Sequence, residues 1–324
     1  MILHRHGGKG HIMKSFVLAA GIVVLLATGS ASGADIVTKE RAAPAVSPAP
    51  SPWDLAFGGG LMSNYVFRGI TQSDHGPAVT AYFEPRYNIN PNLQLYAGIA
   101  GTSVRLPTTP SAEIDLYAGF RPTFGPLALD FGFMYYWYPR EVQFDGVTRI
   151  YANGATTLAN TDFWEVYGKS TYTFNDAFSA GLSVYYTPSY LGTDAPGTYL
   201  SGTAKLNLSG LSKDWGWFVS GELAHYWLGT ARADGVLFTA PINLPDYTTW
   251  NVGLAFTYKV FTLDLRYYDT SLSKEECFVL TSDPGASLGG SPIPIGNVTG
   301  LRSSWCNPTF AAKLSFDLTL ASLK

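Results

Sequence analysis

The sequence predicts an all-β protein, an antiparallel transmembrane β-barrel of about 12 strands with short periplasmic turns and long external loops. Three observations lead there. The stretch 310–320 alternates without a slip, placing Phe310, Ala312, Leu314, Phe316, Leu318 and Leu320 on one face and Lys313, Ser315, Asp317 and Thr319 on the other, because strand side chains point to opposite faces with period two. The chain is 15% aromatic but only 14% charged, against about 25% charged in a typical soluble domain. Finally, no segment behind the leader approaches the ~20 apolar residues of a membrane helix, and in lipid only helices and closed barrels satisfy their backbone hydrogen bonds.

Export comes first. Lys14 precedes the apolar run 16–27, which is too short to span a bilayer and is followed by Ser32-Gly33-Ala34, suited to cleavage ahead of Asp35. Residues 1–34 therefore read as a signal peptide, against the alternative of an N-terminal anchor helix. The leader carries Arg5, Lys9 and Lys14 and no acid, which leaves 18 basic against 24 acidic residues and argues against a nucleic-acid partner. Residues 35–52, rich in Pro and Ala, form a periplasmic linker that cannot build a core, and 53–324 is the barrel.

The strands are expected at 54–67, 78–88, 93–104, 113–124, 127–137, 163–174, 177–187, 198–208, 215–227, 247–258, 261–270 and 309–320. Most have the nine to eleven residues, or slightly more, of a tilted membrane strand. Asn90-Pro91-Asn92, Gly125-Pro126, Asn175-Asp176, 209–214 and Lys259-Val260 supply the short turns. Between them fall longer loops at 68–77, 105–112, 138–162, 188–197, 228–246 and 271–308, the short–long alternation of outer-membrane barrels. Pro85 and Pro122 fall inside strands and predict bulges or strand ends there. Aromatic residues cluster in two girdles, an outer one with Trp137, Tyr138, Trp164, Tyr185, Tyr186, Tyr226, Trp227, Tyr247, Trp250, Tyr267 and Tyr268, and an inner one with Trp53, Tyr87, Phe174, Phe178, Trp215, Trp217, Tyr258 and Phe261.

Setting the apolar faces outward turns a set of charges inward: Arg68, Glu84, Arg86, Glu113, Asp115, Arg121, Asp130, Glu165, Lys169, Lys205, Glu222, Asp264, Arg266, Lys313 and Asp317. These seven basic and eight acidic groups are the expected lumen lining. Glu84/Arg86, Glu165/Lys169, Asp264/Arg266 and Lys313/Asp317 are spaced to pair within one inner face. Such a lining fits a transverse field in a water-filled pore or a salt-bridged plug, and about a dozen strands predict a narrow lumen in either case.

Ser63-Asn64-Tyr65-Val66-Phe67-Arg68-Gly69-Ile70-Thr71-Gln72-Ser73, followed by Pro77-Ala78, resembles the opening motif of the TorF porin family, and general barrel patterning continues over about 53–320. The resemblance implies an outer-membrane barrel with channel activity. Two features depart from it: the loops at 138–162 and 271–308 are long, and the chain ends Leu323-Lys324 without the terminal aromatic that assembly machinery reads.

Other chemistries find little support. Gly7-Gly8-Lys9-Gly10 lies in the leader without a preceding strand, so it is no phosphate loop. Behind the leader only His75, His225, Cys277 and Cys306 remain of the histidines and cysteines, too few for a metal set, and no cofactor is expected. Asp74-His75 reads as a solvated loop pair, and His225 as an interfacial residue on the lipid-facing phase. Cys277 and Cys306, both in the 271–308 loop of an exported chain, are expected to form a disulfide that shapes this loop into a lid. The reading is thus a non-enzymatic porin passing small polar solutes or ions, in contact with outer-membrane lipid, as a monomer or a homo-oligomer. The alternatives are a closed structural or surface-interaction barrel, favoured by the long loops, and a lipid-modifying enzyme, for which only His225 speaks.

Overall fold

The computed structural model describes residues 52–144, 151–154, 157, 160–208, 214–232, 240–294 and 296–323. The expected signal peptide and all but the last residue of the linker lie outside them. Twelve strands form one closed antiparallel barrel: β1 (Trp53–Met62), β2 (Ala78–Asn90), β3 (Leu93–Thr102), β4 (Glu113–Phe124), β5 (Leu127–Trp137), β6 (Phe163–Thr173), β7 (Phe178–Thr187), β8 (Gly197–Leu208), β9 (Trp215–Leu228), β10 (Tyr247–Tyr258), β11 (Phe261–Thr270) and β12 (Thr309–Thr319). Each pairs with its sequence neighbours, and β1 closes on β12 through a register running from Ala56↔Thr319 to Met62↔Lys313. Closure leaves no strand edge to satisfy, as lipid requires.

The period-two pattern decides which side chains face out. Leu61, Leu314 and Leu263 sit opposite one another on β1, β12 and β11, all exposed, and comparable large apolar residues stand exposed along the other strands, such as Leu95 and Ile99, Phe131 and Phe133, and Leu182 and Val184. A soluble protein rarely carries an apolar patch of more than a few hundred Å², whereas here the patch runs round the barrel. The aromatic girdles need correction. Trp137, Trp164, Tyr186, Trp227 and Trp250 are exposed at one end and Trp53, Phe174, Trp215 and Phe261 at the other, but Tyr138, Tyr185, Tyr226 and Tyr247 are buried. Adjacent residues on a strand cannot share a face, so Tyr185 and Tyr226 lie inside while Tyr186 and Trp227 face out.

The prolines produce no bulge. Pro85 sits opposite Leu55, and the β2–β3 register continues unchanged from Phe83↔Ile99 to Arg86↔Tyr96; the irregularity falls at Asn88/Asn90 instead. Pro122 is likewise paired, with Leu93. A single missing ladder bond is tolerated where the flanking pairs hold the register.

The first strand ends at Met62, not at 67. Val66–Phe67 then pairs with Ile70–Thr71 in a two-residue hairpin whose turn, Arg68-Gly69, has φ of 47° and 84°. Two positive φ values in a row are the signature of the tight turn whose twist matches its strands. Arg68 in that region costs on the order of 1–3 kcal/mol, so something must hold it there.

The last loop carries the helix α1 (Lys274–Thr281), started by a capping box in which the Ser273 hydroxyl accepts from the Glu276 N–H and the Glu276 carboxylate from the Ser273 N–H. Cys277 on α1 is bonded to Cys306, as expected.

Candidate functional site: a hairpin across the barrel interior

The hairpin 63–76 enters the barrel rather than leaving it. The Arg68 guanidinium donates two 2.8 Å hydrogen bonds to the two Glu165 oxygens on β6, and both side chains are buried. Around it stand the rings of Tyr185, Tyr199 and Tyr226 from β7, β8 and β9, with centroids 5.0, 4.3 and 4.8 Å from the guanidinium carbon. The Tyr247 hydroxyl on β10 donates to the Arg68 carbonyl. A Cβ added to Gly69 would meet Thr270 and Thr249 at 2.3 and 2.4 Å. The Arg68 side chain therefore reaches the wall opposite the strand from which the hairpin came, while Gly69 abuts β10 and β11.

Burial alone would drive the guanidinium toward neutrality, but the Glu165 carboxylate more than reverses this and lifts its pKa well above the ordinary value. Removing either partner strands a buried charge, the costly half of such a pair.

The hairpin's shoulders are fastened as closely. The Asn64 amide oxygen accepts from the hydroxyls of Thr71 and Ser73, and the Ser73 hydroxyl accepts from the Tyr65 N–H. The Tyr65 and Tyr138 hydroxyls both donate to Glu113 on β4, and burial, then the nearby Glu113 charge, raises the Tyr65 pKa well above normal. Asp115, two residues along the same face, is fully buried and neither oxygen meets a hydrogen-bond partner among the described residues.

Asp74-His75 is not merely solvated. Asp74 accepts from the Trp305 indole N–H at 3.1 Å, and His75 Nε2 lies 3.1 Å from the Ser304 carbonyl. Both contacts tie the hairpin's return limb to the disulfide-bonded loop.

Below the hairpin a second polar layer joins non-adjacent strands, which is possible only through the interior. Arg121 on β4 bonds Glu84 on β2 at 2.8 Å and Asp130 on β5 at 3.3 Å, and Arg86 bonds Glu84 at 2.6 Å. Tyr96 on β3 reaches Asp130 and the Tyr167 hydroxyl on β6. The Tyr96 ring lies across Gly119, where an added Cβ would stand 2.4 Å from its hydroxyl. Across the barrel, Arg266 bonds Asp264 and Asn251 at 2.8 and 2.6 Å and the Ser220 hydroxyl at 2.7 Å, while Glu222 accepts from Tyr199 and Asn251.

Asp317 accepts from Tyr82, and Lys313 stands opposite Asp264 in the β11–β12 ladder. The ammonium groups of Lys169 and Lys205 lie over the Tyr167 and Phe218 rings at 4.6 and 3.9 Å. Glu165, spaced to pair with Lys169, is bound by Arg68. The tyrosines that complete these layers went unread in the sequence, although each shares its strand's phase with an inward charge: Tyr82 with Glu84, Tyr117 with Asp115, Tyr167 with Glu165 and Lys169.

A family model for a bacterial protein of unknown function, Gcw_chp, matches residues 46–283. The chain belongs to this family. Among solved structures it is similar to the NanC porin, at 10% identity and a TM-score of 0.43 over 82% of this chain and 100% of that one. An outer-membrane channel from Pseudomonas putida F1 gives 9% identity and a TM-score of 0.41 over 85% and 100% of the two chains. The KdgM porin gives 10% and 0.39 over 81% and 98%. No curated protein matches the sequence. The hairpin and both interior layers of this Gcw_chp chain fall within the family match, except for β12 and the end of the last loop.

His225 sits outside these layers. Its Nδ1 is 2.9 Å from the Thr248 hydroxyl on the next strand, and its ring lies 4.6 Å from that of Trp227. That is the environment of an interfacial residue.

Proposed function

We propose that this chain is an outer-membrane porin of a Gram-negative bacterium, through which small polar solutes or ions diffuse along a narrow charged lumen constricted by the hairpin 63–76. The observation that carries the reading is the inversion of polarity: an apolar, aromatic-rimmed exterior around an interior of charged and hydrogen-bonding groups. In porins an interior of this polarity lines a water-filled channel. The TorF resemblance agrees, since its residues build the constriction itself. No reaction is assigned.

A second reading is supported by the Arg68–Glu165 contact. A hairpin pinned across the interior by a buried bidentate ion pair also suits a closed barrel that serves structure or surface interaction. Conductance of the refolded protein in a planar bilayer separates the two. Small discrete steps support the porin. Silence with an intact barrel, relieved in Gly69→Ala or Arg68→Met, supports a closed resting state.

A further inference from the structure

Between the hairpin and the external loops lies a cavity of about 510 Å³, inside the ~300–1,000 Å³ range of small-molecule sites. Phe67 and Ile70 of the hairpin form part of its lining, together with Leu191, Leu244, Val279 and Leu280 from three different loops. Its chemistry is opposite to that of the layers below. No Asp, Glu, Lys, Arg or His appears among the described lining residues.

Several of its polar groups are already committed within the protein. The Thr193 hydroxyl donates to the Tyr190 carbonyl, the Gln72 amide to the Ile70 carbonyl, and the Asn297 amide to the carbonyls of Glu275 and Leu301. The cavity therefore offers more apolar than polar surface, with part of its hydrogen-bonding capacity already engaged. Its walls are held in place before any ligand arrives: α1 is capped, the disulfide anchors it to Cys306, and the neighbouring Trp305 indole donates to Asp74 of the hairpin, so little ordering entropy remains to oppose binding.

We propose that this external cavity is a binding site for an uncharged, largely apolar small molecule. A charged ligand would surrender its water and meet no counter-charge among the described lining residues. The site does not depend on the barrel conducting.

The test uses the full chain, refolded and held in amphipol, with the neutral fluorophore N-phenyl-1-naphthylamine as probe. Saturable binding with a stoichiometry near one is expected, displaced by neutral 1-naphthol and at least tenfold less well by anionic 1-naphthoate. Val279→Lys places a charge in the wall near the C-terminus of α1, where the helix tolerates a cation, and is expected to weaken the probe at least tenfold while the barrel and disulfide persist. Non-saturable uptake, equal uptake by folded Val279→Lys, or equal displacement by the two naphthalenes overturns the proposal. If Val279→Lys does not fold, the naphthol and naphthoate comparison on the unsubstituted protein decides it.

Discussion

At the scale of single residues, Arg68 governs the barrel interior. It occupies a backbone conformation costly for a side chain bearing a Cβ, and the bidentate contact with Glu165 and the surrounding rings offset that cost. Arg68→Met leaves the Glu165 carboxylate buried without its partner and is expected to destabilise the refolded barrel by about 3–5 kcal/mol. Arg68→Met with Glu165→Gln, which removes both charges, should recover most of this. Urea unfolding of the single and double variants in lipid vesicles measures the difference, and equal destabilisation would show that the pair does not act as a unit. Gly69→Ala tests the same contact sterically: the added methyl cannot fit against Thr249 and Thr270, so the tip must withdraw. Conductance is expected to rise in Gly69→Ala, and an unchanged conductance would place the constriction elsewhere.

At the scale of elements, the two faces of a strand respond differently to the same chemistry. Leu314 is at the middle of β12 and faces out between Leu61 and Leu263, whereas Asp317 faces in and accepts from Tyr82. Leu314→Arg puts a cation at mid-membrane at a cost of roughly 2–4 kcal/mol and should abolish heat-modifiable migration, while Asp317→Asn, which still accepts from Tyr82, should leave it intact. The loop bearing α1 behaves as a separate element. Its disulfide joins cysteines 29 apart in sequence and contributes about 3–4 kcal/mol in the chain-entropy account; its contacts lie in the loop and outside the twelve-strand ladder. In Cys277→Ser/Cys306→Ser the barrel should keep its heat-modifiable form while limited proteolysis newly cuts within 271–308. Loss of the barrel would show that the ladder itself depends on the bridge.

At the scale of the whole molecule, charge balance sets the expected selectivity. The seven basic and eight acidic groups expected to face inward nearly cancel, and several are joined in ion pairs that neutralise each other's fields. A pore so lined should show only a slight preference for cations, in keeping with the acidic excess of the chain. Reversal potentials across a salt gradient test this, and strong anion preference would contradict it. The two environments are also stacked: a cavity with no charged residue among its described lining lies on one side of the hairpin and charged layers lie on the other.

The sequence by itself determined the barrel, its strand count and most strand boundaries, because period-two alternation and the short–long order of connections are local signals that lipid enforces at every strand. The same period gave the expectation of inward charges, and two cysteines in one loop of a chain read as exported gave the disulfide. Only the tertiary structure decided that Ser63–Gly76 turns into the lumen, that Glu165 meets Arg68 rather than only its neighbour on the strand, and that Tyr185 and Tyr226 point inward beside girdle residues. The Arg68–Glu165 contact joins residues 97 apart in sequence across the width of the barrel. Such pairings depend on where closure brings opposite walls, and no local period records that.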